Sequence, residues 1–330
     1  MTKRVRDKFL GSIVGCAVGD ALGAPFEGLP PPSIQIAGAA EIHFRKIAGY
    51  PLGQYTDDTQ MTLAIVRAIC RAGKVDGAEI AAEFVRLWNT GEIVGAGASC
   101  SEGVYNIYER GMKWSEAGTP IGRAGNGAAM RAAPIGLWNC LHPDRIPHDA
   151  EISSIVTHKD PRSIAGAIAV AEGVRLNLAV ESLDPADYLK KISAAVRPAS
   201  TVFSRYLDLL GRWITLEPDE ALRLIYASGE PEVGPRQPRG ISGYVIPSVL
   251  CSLFFFLKTP RDFLATVIGA IRAGGDTDTT AAIAGAISGA LNGIQAIPWR
   301  LVEALKDSQE ILALAEEFYE AAARKGQVKD

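Results

Sequence analysis

The sequence predicts an all-α fold, and three observations lead to this prediction. Alanine, leucine and isoleucine recur at spacings of three and four residues along most of the chain, which is the period of an amphipathic helix. No segment of useful length alternates apolar and polar residues as a strand does, and only residues 34–47 are doubtful. Glycine and proline stand mainly between the helical runs, where they indicate turns.

The predicted helices follow this periodicity along the chain. They span residues 61–72, 77–89, 163–177, 185–196, 201–213, 248–257, 261–273 and 299–325, with further helical runs at 128–141, 281–291 and around Asp20. Clear breaks fall at residues 30–32 (PPP) and 229–240 (GEPEVGPRQPRG). Because acidic motifs lie on both sides of the second break, we interpret it as a loop. Residues 1–330 are predicted to form a single compact multi-helix domain.

Composition excludes several classes of protein. Hydrophobic residues make up 48% of the 330 residues, so a large core is expected. The formal net charge is -3, and without a basic excess no nucleic-acid partner is expected. The five cysteines form no C-x-x-C pair, which argues against disulfides and a cysteine-bound zinc. No secretory signal is expected, and the apolar stretch at 245–257 is too short to cross a bilayer. A cytoplasmic monomer without a membrane partner is therefore predicted.

Two acidic segments stand directly before apolar helical runs: YTDDTQ at residues 55–60 and GGDTDTT at residues 274–280. Asp and Thr are preferred helix N-caps, so one acidic residue per helix has a structural explanation. Capping explains the pairs Asp57 with Asp58 and Asp276 with Asp278 poorly, because neighbouring carboxylates repel each other. A bound cation would remove this repulsion, so we favour a metal site over two caps.

The donor types limit the metal. Carboxylates and hydroxyls are oxygen donors, which suit Mg²⁺ or Mn²⁺. Zinc is disfavoured because neither segment contains His or Cys. Four or five carboxylates are enough for a pair of ions about 3.5–4 Å apart.

The chain resembles the ADP-ribosylglycohydrolase family nearly from end to end. The resemblance rests on five motifs in the family's order: GCAVGDALGAPFE (15–27), YTDDTQ (55–60), GNGAAMR (125–131), TH (157–158) and GGDTDT (274–279). It implies an all-α fold with a binuclear Mg²⁺ or Mn²⁺ centre between helices. It also implies a substrate that contains ADP-ribose, as a modified protein or a small molecule.

The resemblance assigns roles to residues of both acidic segments. The metal ligands that it implies are Thr56, Asp57, Asp58, Asp276, Asp278, Thr279 and Glu27. It implies Glu27 and Asp57 as catalytic residues, although a lone Glu after Pro25 and Phe26 is otherwise expected to be a solvated loop residue. Asp20 is expected either to bond nearby backbone or to take part in catalysis.

The resemblance also implies a set of substrate-binding residues: Gly95, Gly97, Gly125, Asn126, Gly127, Met130, His158 and Tyr244. Before a helix at 128–141, GNG would be either a turn with an N-cap or an anion site at a helix start. His158 is either a structural histidine or a contact near the adenosine end of the ligand. Arg131 is either a simple helix residue or the partner of a buried acid.

Residues 93–95 bear on the acceptor. The arginine-directed bacterial branch of the family usually carries Asp-Ile-Gly near this point, whereas this chain has Ile93-Val94-Gly95. The chain is therefore more similar to the branch that acts on serine-linked ADP-ribose and related O-linked esters. Release of ADP-ribose from serine or from O-acetyl-ADP-ribose is favoured, and an arginine linkage stays open. The alternatives are a two-metal phosphohydrolase acting on a nucleotide and a non-catalytic ADP-ribose-binding protein.

Overall fold

The computed structural model describes residues 2–36, 38, 42–228 and 240–328, and these residues form helices joined by turns without a β-sheet. Three isolated β-bridges are the only extended pairings among them. The helices are α1 (Thr2–Gly23), α2 (Asp57–Ala72), α3 (Gly77–Asn89), α4 (Ala98–Tyr108), α5 (Trp114–Ala117), α6 (Ala133–Trp138), α7 (Ile146–Ile155), α8 (Pro161–Ala179), α9 (Pro185–Val196), α10 (Thr201–Trp213), α11 (Pro218–Tyr226), α12 (Val245–Lys258), α13 (Phe263–Arg272), α14 (Thr277–Asn292), α15 (Trp299–Ala304) and α16 (Ser308–Arg324).

Helices α1 and α14 form the centre of the molecule and run antiparallel with their backbones in close contact. Gly15 and Gly285 face each other, and a Cβ atom on Gly285 would lie 2.1 Å from the carbonyl oxygen of Gly15. Along the same line, Gly11 faces Gly289 one turn before this pair, and Gly23 faces Thr277 two turns after it. This approach needs residues without side chains at the crossing. It brings the end of α1 against the beginning of α14.

Side-chain caps explain why several helices begin where the sequence predicts. The carboxylate of Asp76 accepts hydrogen bonds from two amides of the first turn of α3, and Ser200 accepts one at the start of α10. Asp184 caps α9, which then continues with proline at its first position. The predicted bounds 77–89, 185–196 and 201–213 are confirmed residue for residue.

Two of the predicted helical runs are only partly helical. The run at 299–325 is divided into α15 and α16, because Leu305 is extended and Asp307 has φ 54°. Asp307 is held there by the Tyr55 hydroxyl, which donates to its carboxylate at 2.9 Å. The run at 128–141 is helical only in α6, which has six residues, and residues 127–131 form consecutive turns instead.

Other differences concern segments without a clear pattern. Helices α4, α5, α7 and α11 were not predicted. The described part of 34–47 contains no strand. The predicted loop at 229–240 lies outside the described residues except for Gly240. All five cysteines are free, and three of them are buried.

One helical segment among the described residues, Arg4–Phe26, is long and apolar enough to cross a membrane by length and composition. It is longer than the stretch at 245–257 that the sequence analysis singled out. Within the protein, 89% of its apolar window is buried, and the core helix of a soluble protein meets the same criteria.

Candidate active site

A cavity of about 520 Å³ lies where the end of α1 meets the beginnings of α2 and α14. All the residues predicted to bind metal or substrate line this cavity except Tyr244. They are Glu27, Thr56, Asp57, Asp58, Gly95, Gly97, Gly125, Asn126, Gly127, Met130, His158, Asp276, Asp278 and Thr279. The fold therefore collects into one place the segments that the sequence analysis had to consider separately.

Asp20 of α1 fixes the segment that begins α2. Its buried carboxylate accepts from the backbone amides and the hydroxyls of both Thr56 and Thr59, at 2.6–3.0 Å. These contacts satisfy amides at the helix start that lack partners within the helix. Asp20 does not line the cavity, which favours its structural role over a catalytic one.

Because Asp20 binds the amides at the start of α2, the first-turn carboxylates of α2 are not needed to cap their own helix. Thr56 is the N-cap residue, and its side chain makes no capping bond. Asp57 and Asp58 are the first two helical residues, and both are buried. The Thr56 and Thr279 hydroxyls donate to Asp58 Oδ2 at 3.1 Å and 3.4 Å, and the second contact joins the two acidic segments. Capping by these residues, the alternative left open by the sequence, is therefore wrong for α2.

The beginning of α14 is arranged in the same way. Asp276 is the N-cap residue, and it too makes no capping bond from its side chain. Glu27, just beyond α1, takes over part of this role, because its Oε2 accepts from the Thr277 amide at 2.9 Å. One carboxylate oxygen each from Glu27, Asp276 and Asp278 lies within 4.8 Å of the others.

The carboxylates at the cavity raise one another's pKa values. Burial, followed by the charge of Asp276, raises the pKa of Glu27 to about 7. Burial and the charge of Asp20 raise the pKa of Asp57 to about 7, and burial and Asp278 do the same for Asp276. Burial is also the main reason that the pKa of Asp58 lies well above its ordinary value. These carboxylates and Asp278, which together form the acidic cluster, are thus poorly neutralised by the chain itself.

The residues present fit a divalent cation. Asp58 Oδ1 is buried and has no hydrogen-bond partner within the described part of the chain. An unpaired buried carboxylate oxygen is unfavourable unless something else binds it. The polar groups that interact with Asp58 are carboxylates and the hydroxyls of Thr56 and Thr279, and these oxygen ligands suit hard cations.

The 125–127 loop forms the opposite wall of the cavity and is tied to the acidic cluster. The Asn126 amide nitrogen donates to Asp276 Oδ2 at 2.6 Å and to the Ser248 hydroxyl at 2.9 Å. The Ser163 hydroxyl of α8 donates to the Gly125 carbonyl at 2.7 Å. In the described part of the chain, the Gly127 amide has no backbone acceptor. Because residues 127–131 are turns and not a helix start, neither an N-cap nor a helix-start anion site is present here, and an anion would instead meet the Gly127 amide.

His158 and Met130 are both buried at the cavity wall. The ring of His158 lies against the loop: a Cβ atom on Gly127 would be 2.8 Å from its Cε1 atom. Arg131 is fully buried behind the loop, and its guanidinium group donates to two carbonyls, one hydroxyl and the sulfur atoms of Met61 and Cys100. No carboxylate of the described residues lies within ion-pair distance of Arg131, and residue 131 lies in a turn, so neither interpretation left open by the sequence, a buried ion pair or a simple helix residue, is correct.

Tyr244 is the exception among the predicted substrate-binding residues. It pairs with Gly125 in an isolated bridge, but its side chain is not part of the cavity wall. Its hydroxyl instead accepts from Arg162 at 3.1 Å, and Arg162 is also held by Asp160. The neighbouring Gly243 lines the cavity in its place.

Several lining residues were not identified from the sequence. They are Ala24, Ile47, Tyr50, Val94, Ala98, Ser99, Cys100 and Gly243. Gln60 was also not predicted to have a role at the site. Its side chain donates to the Glu92 carbonyl and accepts from the Val94 amide, and these contacts hold the 92–94 segment beside Asp57. Its place at the end of the YTDDTQ motif was the available signal.

Comparison with known proteins agrees with this site. A model of the ADP-ribosylglycohydrolase family matches residues 1–328. The chain therefore belongs to the ADP-ribosylglycohydrolase family, which is a family of hydrolases, and the resemblance that the sequence motifs indicate is confirmed.

Individual relatives and a solved structure support this assignment. The chain is 30% identical to the ADP-ribosyl-dinitrogen reductase glycohydrolase of Rhodospirillum rubrum, over 89% of this chain and 88% of the relative. It is 29% identical to the ADP-ribosylhydrolase ARH3 of Xenopus tropicalis, over 92% and 93% of the two chains. A solved ADP-ribosylglycohydrolase-related protein complex superposes with a TM-score of 0.70 at 29% identity, over 97% of this chain and 99% of that one. The predicted all-α fold is confirmed.

Proposed function

We propose that this protein hydrolyses the bond between ADP-ribose and an acceptor group, and that it needs a divalent cation to do so. The observation that carries the proposal is a single cavity in which a carboxylate cluster faces a glycine loop. The cluster suits a cation that binds ribose hydroxyls, and the loop suits a diphosphate. The names of the relatives point to the same class of substrate.

Two Mg²⁺ or Mn²⁺ ions would be held by residues from three segments: Glu27, Thr56, Asp57, Asp58, Asp276, Asp278 and Thr279. When bound, they would orient the ribose and stabilise negative charge. The chain supplies the rigid geometry that this needs, because Asp20 fixes the start of α2 and Asn126 fixes Asp276.

Glu27 is the residue that we assign to proton transfer, with Asp57 as the second candidate. Glu27 lies at the open side of the cluster, and the Thr277 amide orients one of its oxygens. The pKa of about 7 belongs to the metal-free protein, where the charge of Asp276 is not neutralised. Bound cations would lower it, so Glu27 would start the reaction as a carboxylate that is ready to accept a proton. Such a group activates water or protonates a leaving group while the ribose develops oxocarbenium character.

An O-linked acceptor, such as serine or an acetyl ester, suits the cavity better than arginine. A guanidinium group is best recognised by a free carboxylate. Every carboxylate lining the cavity among the described residues belongs to the acidic cluster. The 93–95 segment, which passes beside Thr56, contributes Gly95 and Val94 but no acid.

The proposal is tested by incubating the purified protein and Mg²⁺ with a panel of defined ADP-ribose linkages: serine, arginine and O-acetyl. Free ADP-ribose from the O-linked substrates is expected, with little from arginine. Asp58→Asn is the matched control, because it keeps the side-chain shape and removes the charge that faces the cation. This variant should lose turnover under the same conditions.

The other outcomes each identify a different protein. Release of AMP would identify a two-metal phosphohydrolase. Binding of ADP-ribose without any product, in Mg²⁺ and in Mn²⁺, would identify a non-catalytic binder. Fast release from arginine alone would overturn the preference for O-linked acceptors and leave the rest of the proposal intact.

A further inference from the structure

Behind the 125–127 loop lies a buried cation, Arg131, that forms no ion pair with a carboxylate of the described residues. The Arg131 guanidinium donates to the Gly127 carbonyl at 2.7 Å, to the Ser153 carbonyl at 3.1 Å and to the Thr157 hydroxyl at 2.6 Å. It also packs 4.8 Å from the ring centre of Phe84. A guanidinium group only donates, so the Thr157 oxygen must act as acceptor in this contact.

The second contact of Thr157 is with His158. The Thr157 oxygen lies 2.8 Å from Nδ1 of the adjacent ring. The Thr157 oxygen could accept a second hydrogen bond, but its own hydrogen has no other acceptor among the described residues, so the hydroxyl donates to Nδ1. A hydroxyl that donates to Nδ1 requires Nδ1 to carry no proton, and a neutral ring then carries its proton on Nε2.

The Nε2 atom is directed at the loop. It makes no hydrogen bond with any other described residue, and it lies 3.0 Å from the position that a Cβ atom on Gly125 would occupy. Glycine at this position therefore leaves room over the ring. His158 also lines the cavity, and Nε2 is not one of the buried atoms without a partner, so this N–H group reaches the cavity beside the Gly127 amide.

We propose that Thr157 and Arg131 are positioning residues that hold His158 as the neutral tautomer with its proton on Nε2, so that the ring donates a hydrogen bond to a phosphate oxygen of the ligand. This inference rests on the proposed function, because it identifies the bound anion as the diphosphate of ADP-ribose. The contacts place a hydrogen-bond donor of fixed orientation at this wall of the cavity.

The charges around the ring favour the same state. Burial is the main cause that lowers the pKa of His158 to about 3, and Arg131 and the exposed Arg123 lower it further, against an opposite contribution from Asp160. The ring therefore stays neutral throughout the physiological pH range, and binding of a diphosphate does not require its protonation.

The tautomer is measured directly by ¹⁵N NMR of the histidine rings in the ligand-free protein. The wild-type His158 ring should show an unprotonated Nδ1 and a protonated Nε2, with no change between pH 8 and pH 5.5. Thr157→Val removes both contacts and should give a mixture of tautomers, while Thr157→Ser keeps the hydroxyl and should restore the wild-type spectrum. The wild-type spectrum decides the matter even if Thr157→Val does not fold, since a proton on Nδ1 would overturn the proposal.

Affinity for ADP-ribose and for inorganic pyrophosphate provides the functional readout. Thr157→Val should weaken both by about tenfold or more, whereas Thr157→Ser should stay within about threefold of wild type. Mn²⁺ affinity should be unchanged in both variants. Unchanged ligand affinity in Thr157→Val would overturn the role of Thr157 as a positioning residue. If wild type shows the expected tautomer but binds neither ligand, the proposed function and the phosphate contact fail together; if it hydrolyses substrate with the proton on Nδ1, only this inference fails.

Discussion

At the scale of single residues, the carboxylates at the cavity are held in place by contacts that do not neutralise them. Asp20 uses both its oxygens to hold the start of α2, and Asn126 holds one oxygen of Asp276. Asp58 keeps one oxygen without a partner among the described residues. Hydrogen-bond donors orient these groups, and the remaining charge is left for a cation.

Glu27 has both a structural and a chemical role, and Glu27→Gln separates them. Glutamine still accepts the Thr277 amide through its side-chain oxygen, so the melting temperature should stay close to wild type. It cannot exchange a proton, so turnover should fall by about 10²-fold or more while ADP-ribose affinity changes much less. Initial rates and titration calorimetry on the same preparation measure both.

The control for this variant is Glu151→Gln, which makes the same substitution at an exposed position of α7. It should leave rate, affinity and stability unaltered, with stability within about 0.5 kcal/mol. Wild-type turnover in Glu27→Gln would show that Glu27 only caps α14, and the search for the proton-transfer group would then move to Asp57.

At the scale of helices, the contact between α1 and α14 sets the position of the site. Glu27 follows α1, and Asp276 precedes α14, so a shift of either helix along its axis would separate them. Backbone contact at the glycines opposes such a shift, because protein interiors have little room for displacement. The geometry of the acidic cluster therefore depends on residues one to three turns away from it.

Substitutions at two helical glycines test this dependence. Gly285→Ala puts a Cβ atom 2.1 Å from the Gly15 carbonyl, so it should destabilise the protein by about 1–3 kcal/mol or more. Gly211→Ala in α10 meets only a leucine methyl at 3.9 Å, and it should be neutral or stabilise by up to about 1 kcal/mol. Urea unfolding with a spectroscopic probe measures both changes. Equal stability of the two variants would contradict tight packing at the crossing.

The sequence predicts these helices unevenly, for physical reasons. Local chemistry is sufficient where a cap and a proline define the start, as in α9. It fails at 305–307, where Asp307 takes a left-handed conformation through a contact with Tyr55, some 250 residues earlier in the chain. It also fails at 128–141, because the turns at 127–131 are held by Arg131 and by loop contacts from other segments.

More of the residues that line the cavity could be predicted from the sequence than of the helix bounds around it. Repelling carboxylates at two helix starts point to a cation without any knowledge of the fold, since this pairing is unfavourable otherwise. The residues that hold the cavity-lining groups in place could not be predicted, because Gln60, Thr157 and Ser248 have no distinguishing pattern in the sequence. Their roles come from partners that only the folded chain brings near.

At the scale of the whole molecule, the acidic cluster links stability to pH and to metal. The pKa values of Glu27, Asp57 and Asp276 are raised to about 7 in the folded state, above those of the unfolded chain near 4. Their protonated forms therefore stabilise the metal-free protein fully below about pH 4. This stabilisation is lost as the pH rises through 7.

The metal-free protein in EDTA is accordingly expected to melt at a lower temperature at pH 8 than at pH 6. Saturating Mg²⁺ or Mn²⁺ should remove or reverse this difference, because cation binding requires the deprotonated carboxylates and releases protons. Melting curves from pH 5.5 to 8.5, with and without metal, measure the effect. A metal-free protein whose melting temperature rises steadily from pH 6 to pH 8 would contradict the raised pKa values, and equal curves in metal and EDTA would contradict the cation site.

The contact between α1 and α14 also has a consequence for synthesis on the ribosome. Helix α1 packs against a helix that begins at Thr277, so this part of its apolar surface is covered only after roughly 250 further residues have been made. At about 5–20 residues per second, that wait lasts on the order of 10–50 s. During this time a helix of membrane-spanning length and composition lacks its main partner, although α2, α6 and α8 also contact it. The apolar surface of α1 that α14 covers therefore stays exposed on the nascent chain until residues 277–292 are made.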